Sequence, residues 1–175
     1  MSRRVIRKSA RYCDAQVADL LQSIFAAELV SPSNVLWLVS AWVSDLPILD
    51  NRDASFSGYN SSWTSRQLRL SELLVAIADC GTNVVVVTNT DPHNEAFLQR
   101  LGLLATETGV RDLVTTTQME DLHAKGLLGD QYHLHGSMNF THNGVRVLAE
   151  EVVLELDPDH VQRAHLEYRD KYGPA

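Results

Sequence analysis

The chain has 175 residues, a formal net charge of −7 and an apolar share of 45%. That is long enough for one domain with its own core and ordinary for a globular protein. The acidic balance excludes a generally basic nucleic-acid coat, and no run approaches the ~18 apolar residues of a membrane span.

Positive charge is uneven. Arg3, Arg4, Arg7, Lys8 and Arg11 precede the first acid, Asp14. Residues 1–13 therefore read as a basic N-terminal arm, a solvated tail or a phosphate-contacting arm, and 14–175 as a single domain. No apolar segment follows the charged start, so no secretory signal is expected and a cytoplasmic protein is. Cys13 and Cys80 lack metal or redox spacing and read as two reduced thiols.

Asp14 offers an N-cap, and Val17, Leu20, Leu21, Ile24 and Phe25 follow at helical spacing. Ser31-Pro32-Ser33-Asn34 ends that helix. Val35–Val39 is a short apolar run that suits a strand buried on both faces, with Trp37 and Trp42 in the core. Residues 50–67 are rich in Ser, Asn, Gly and Asp and read as a long loop, a lid or a plain surface excursion. Within it, Trp63 is the tryptophan placed to stack on a base or substrate. Leu70, Leu73, Leu74 and Ile77 predict a second helix closed by Gly81. Val84–Val87 predicts a second buried strand. Asp91-Pro92 pairs an N-cap with an N1 proline, opening a helix through Phe97, Leu98 and Leu101 that ends near Gly102. Leu113 and Val114 suggest a strand, Val152–Leu156 another, and Asp157-Pro158 a last helix with Val161, Ala164 and Tyr168. Strands alternating with helices argue for an α/β layered sheet.

The chemistry concentrates in His123–Asn139, HAKGLLGDQYHLHGSMN. In a strand, His123 and Lys125 share a side. Gly129-Asp130-Gln131 can turn the chain, and Tyr132–Gly136 returns as the second arm of a hairpin. On that arm His133, His135, Ser137 and Asn139 share a parity if the strand stays regular. One face then presents a nucleophile candidate, a cation and neutral hydrogen-bond donors, as phosphoryl transfer requires. His135 lines the pocket, and His133 reads as a surface or interface residue. His133, His135 and His142 invite a metal reading. No Cys or carboxylate cluster completes such a site, and Lys125 would repel a cation, so no metal is expected.

His123, Lys125, Asp130, Gly136, Ser137 and Asn139 resemble the HKD signature of the phospholipase D superfamily, His-x-Lys-x4-Asp followed by Gly-Ser-x-Asn. Five residues, Gln131 to His135, separate Asp130 from Gly136, one fewer than the commonest family spacing. This puts the placement of Asp130 in question. His135 stands where the family usually has an aliphatic residue. The resemblance implies an α/β, phospholipase D-like layered sandwich, with a mixed β-sheet flanked by helices on both faces. It also implies no cofactor and a metal-independent phosphodiesterase, a nuclease acting on DNA or RNA, working through a phosphohistidine. In the family two motifs share one site. With one motif here, a homodimer is implied, His123 serving as nucleophile in one subunit and general acid in the other. Lys125 and Asn139 would hold the phosphate, Ser137 would assist, Gly136 would lie against it, and Asp130 would orient the site. Family members often carry an acid before the next strand to orient the histidine. Of Glu150 and Glu151, Glu151 abuts that strand and is the residue favoured.

"HGSMNFTHNG" also resembles small phospholipase D-like proteins of bacterial DNA-modification and phage-defence clusters. Two further readings stand beside the nuclease. One is a non-catalytic nucleic-acid- or protein-binding subunit of a larger system. The other is a phospholipid hydrolase or transferase, weakened by the lack of a membrane segment or amphipathic basic helix.

Overall fold

The computed structural model describes residues 3–7, 15–60, 62–147 and 149–173. In chain order the strands and α-helices are β1 (Arg3–Arg7), α1 (Gln16–Val30), β2 (Val35–Ser40), β3 (Pro47–Asp50), β4 (Gln67–Arg69), α2 (Leu70–Asp79), β5 (Asn83–Thr88), α3 (Glu95–Thr108), β6 (Val114–Gln118), β7 (Lys125–Gly129), β8 (Tyr132–Gly136), β9 (Glu151–Glu155) and α4 (Pro158–Tyr172). Seven strands form one mixed sheet in the order β1-β9-β8-β7-β2-β5-β6. β2, β5 and β6 run parallel, while β7, β8, β9 and β1 continue antiparallel.

The two apolar strands occupy the middle because both of their faces are buried. Leu36, Leu38, Val84 and Val86 turn to the core under α1, α2 and α3. Trp37, Val39, Val85 and Val87 turn to a second core roofed by Val161, Ala164 and Tyr168 of α4. The apolar stripe read in α1, from Val17 to Phe25, is buried as expected. Gly81 follows α2 at φ 97°, the left-handed C′ conformation a glycine accepts without strain.

Four expectations change. Residues 3–7, read as part of the arm, form β1, an edge strand paired with β9, and Ile6 is buried. Ile6 alone of the five is buried: Arg3, Val5 and Arg7 alternate to the other face, and Arg4, on the face of Ile6, stays exposed; Asp14 and the rest of the arm lie outside the described residues. The helix read through Leu101 runs on past Gly102 to Thr108 and ends at Gly109, φ 81°. Trp63 is 3% exposed, whereas Trp42 is 40% exposed. Trp63 anchors the 50–67 segment in the core, and Asn51, itself buried, accepts from Phe56 N–H at 2.7 Å and donates to Thr64 O at 3.1 Å. The segment is a pinned excursion over α2 and α3, closed at its base by the β3–β4 pair.

Candidate active site

The parallel strands β2 and β5 end where β7 begins. Such carboxyl ends are where α/β sheets place ligands, because loops there diverge. Ser40, the last residue of β2, pairs with Lys125, the first of β7. His123 lies just before β7, exposed, rather than in a regular strand. Its position relative to the lysine is therefore set by a contact and not by strand parity: Lys125 Nζ donates to the His123 carbonyl at 2.6 Å. The ammonium keeps further hydrogens for an anion.

The second half of the motif reaches this sheet end by a sharp departure from β8. Gly136 has φ 147°, and a Cβ there would fall 2.1 Å from the Glu151 carbonyl. Only glycine fits, and the strand stops being regular, so the parity argument fails beyond it. Residues 138–140 then run beside the end of β2. Phe140 bridges Val43, Phe140 N–H donates to Ser40 Oγ at 3.2 Å, and Ser44 N–H donates to the Phe140 carbonyl at 2.9 Å. Asn139 is thereby seated at the end of β2. Its Oδ1 accepts from Ser40 Oγ at 3.2 Å and from Trp42 N–H at 3.4 Å.

Asn139 lines a surface cleft of about 450 Å³ with Trp42, Ser44, His93, Thr141 and His142. The Trp42 indole donates to Asp91 at 3.1 Å, and Ser44 Oγ lies 2.9 Å from His93 Nε2. The Asp91 carboxyl is held below its usual range by the His93 N–H and the Trp42 indole. The fully buried Asn94 fastens the loop: its Oδ1 accepts from Val43 N–H at 2.8 Å and its Nδ2 donates to the Ala41 carbonyl at 3.0 Å. Ser40, Trp42 and Asn94 were missed by sequence reasoning. A serine ending an apolar run is the only local signal among them.

The structure brings His123, Lys125, Ser137 and Asn139 to one end of the sheet. The acid that touches the motif is Glu150: Ser137 Oγ donates to its carboxylate and accepts from Glu151 N–H at 3.1 Å. The Glu151 side chain instead pairs with Arg7 at 2.7 Å, because as the first residue of β9 it faces β1. Asp130 lies in the turn at the far end of the hairpin, five residues and roughly 16 Å beyond Lys125 at ~3.3 Å per residue. There it accepts from Asn34 N–H at 2.9 Å and Asn34 Nδ2 at 2.6 Å, tying the hairpin to the start of β2.

His135 and His133 turn away from the lysine. A Cβ on Gly126 would meet Tyr168 and His133, so Gly126 faces α4 and Lys125, by alternation, the opposite side. His133 is buried rather than at the surface. Burial, with His135 and His160 adding, pushes its pKa down to about 3, and burial lowers His135 as well. His142 is exposed on the cleft side, while His160 of α4 takes the place beside His133 and His135.

No family model and no curated protein matches the chain. Solved structures do. Nuc from Salmonella typhimurium, a phospholipase D family member, superposes with a TM-score of 0.60 at 16% identity, over 97% of this chain and 94% of that one. NucT from Helicobacter pylori gives 0.60 at 12% identity, over 96% and 93%. Phosphatidylserine synthase from Haemophilus influenzae gives 0.54 at 13% identity, over 96% of this chain and 37% of that one. The fold is phospholipase D-like. Among the described residues, no helix is long and apolar enough to cross a membrane.

Proposed function

We propose that this protein is a metal-independent phosphodiesterase that cleaves nucleic acid at a site shared by two copies of the chain. The observation that carries the reading is the seating of Asn139 against Ser40, the register partner of Lys125. It unites the two halves of the HKD-like stretch at one sheet end. Asn139 and Lys125 present hydrogen-bond donors and a positive charge toward a phosphate, where charge develops in the transition state. His123 Nε2 attacks phosphorus and the ester oxygen leaves with a proton from the second copy's imidazole. Water then hydrolyses the phosphohistidine, the same second imidazole acting as base. His123 is exposed, as half of a shared site must be in one chain alone. The exposed Trp42 ring, beside Asn139 in the cleft, is the stacking platform for a base.

The test incubates the protein with labelled single- and double-stranded DNA and RNA in a chelator, beside His123→Ala. Cleavage by the wild type alone supports the reading. Binding without cleavage that is unchanged in the variant overturns it in favour of a binding subunit. A monomer that cleaves at full rate overturns the shared site.

A further inference from the structure

Three histidines that the phosphodiesterase reading does not use converge on the opposite face of the sheet. His133 and His135 project from β8, and His160 comes from the first turn of α4. One ring nitrogen from each lies within 4.8 Å of the others. His133 Nδ1 stands 3.1 Å from His160 Nε2. Two imidazole nitrogens bound to one tetrahedral zinc are separated by about 3.3 Å, given bonds of ~2.0 Å.

Two observations go beyond proximity. His135 Nε2 is buried and has no hydrogen-bond partner, a costly state for a polar atom that a ligand would relieve. His133 Nε2 lies 3.1 Å from the Tyr168 hydroxyl. In the tautomer whose Nε2–H donates there, Nδ1 is left as a bare lone pair facing His160. Metal-binding histidines are characteristically oriented this way, by a partner on the other ring nitrogen. Gly126 makes room, since a Cβ there would fall 2.3 Å from the Tyr168 hydroxyl. The cation that argued against a metal is not at this place: Lys125 starts from the other side of β7. Glu155, the register partner of His133, is buried and salt-bridged to Arg3 at 3.0 Å, which puts a carboxylate and the guanidinium that balances it on the same face.

We infer that His133, His135 and His160 form a binding site for one divalent transition-metal ion of the zinc class, with a coordination position left for water. Three neutral imidazoles suit zinc, cobalt, nickel or copper and not magnesium or calcium, which take oxygen ligands. The ion would join α4 to β8 directly. The inference stands apart from the nuclease reading, since it uses none of its residues.

The test is zinc binding to the metal-stripped full chain by calorimetry, with cobalt absorption in the visible as a report of tetrahedral geometry. One ion per chain is expected, with His160→Gln and His135→Gln each weakening it at least about tenfold and His142→Ala leaving it unchanged. Absence of saturable one-to-one binding, or a His160→Gln variant that binds as tightly as the wild type, overturns the site. Should both glutamine variants fail to fold, X-ray absorption on the zinc-loaded wild type decides. Imidazole scattering at about 2.0–2.1 Å supports the site, and its absence overturns it.

Discussion

Asn139 is held by its oxygen: Ser40 Oγ and Trp42 N–H both point at Oδ1, at 3.2 and 3.4 Å. The amide nitrogen, with both hydrogens, is left for the cleft. This polarity is what an anion needs, and the Trp42 main-chain N–H, which can only donate, fixes it; the Ser40 hydroxyl, which also lies 2.8 Å from the Trp42 carbonyl, can donate or accept. Asn139→Asp replaces a donor pair by a negative charge. It is expected to lower kcat on a phosphodiester by at least about 10²-fold, the scale of losing one preorganised donor. Ser40→Ala, which loosens the amide and also frees the Phe140 N–H but leaves the donor pair in place, is expected to cost less in kcat. Steady-state kinetics on both variants check the ranking.

His123→Ala is expected to abolish turnover, a loss of at least about 10³-fold, because it removes the proposed nucleophile. Lys125→Ala is expected to fall by about 10²-fold and to weaken the salt dependence of substrate binding. Trapping labelled phosphate on the wild type and not on His123→Ala, in acid-labile form, is the direct measurement.

The two neighbouring glutamates separate. Glu150 accepts from the Ser137 hydroxyl, whereas Glu151 pairs with Arg7 on the edge strand. Glu150→Gln is expected to lower kcat by about tenfold or more by releasing Ser137. Glu151→Gln is expected to leave kcat as it is and Tm nearly so, since exposed ion pairs contribute little. Equal effects of the two changes on kcat would contradict this division.

Asp130 fastens the hairpin turn to the start of β2. Its carboxylate satisfies Asn34 at two positions. Asp130→Ala is expected to lower stability by about 1–2 kcal/mol, the low side of the range for losing hydrogen bonds to a charged group because the pair is exposed, with kcat of the folded fraction unchanged. Urea denaturation and active-site-normalised rates distinguish the two.

Acid should loosen the base of the 50–67 excursion. Burial pushes the Glu72 carboxyl up, but Arg66, at 2.9 and 2.6 Å, and the Arg69 N–H, at 3.0 Å, hold it below its usual range. With the folded value below the unfolded one, the unfolded chain binds more protons as pH falls. The contribution is full above the unfolded carboxylate range and is lost as pH drops through the folded value. Glu72→Gln is therefore expected to be about 1–2 kcal/mol less stable than wild type at pH 7, allowing for the partly exposed Arg66. Thermal melts should show that gap closing at acid pH.

Periodicity alone determined most of the framework here. Val35–Val39 and Val84–Val87 are short apolar runs between turn signals, which suit strands buried on both faces. The stripe from Val17 to Phe25 read as one face of a helix, and the residues from His123 to Asn139 read as a hairpin. Local patterns carry that information because strand and helix repeats are short-range. Where the pattern was ambiguous, long-range packing decided. Ile6 drew basic residues into an edge strand, and Trp63 rather than Trp42 took the buried place.

The site needed the tertiary structure for a different reason. Gly136 leaves the strand at a positive φ, so parity along β8 says nothing about Asn139. Its partners, Ser40 and Trp42, lie about 100 residues away in the chain and meet it only because β2 pairs with β7. The same sheet order sends Asp130 to the opposite end, gives Glu150 rather than Glu151 to Ser137, and folds α4 over β8. That last step is what sets His160, and not His142, against His133 and His135.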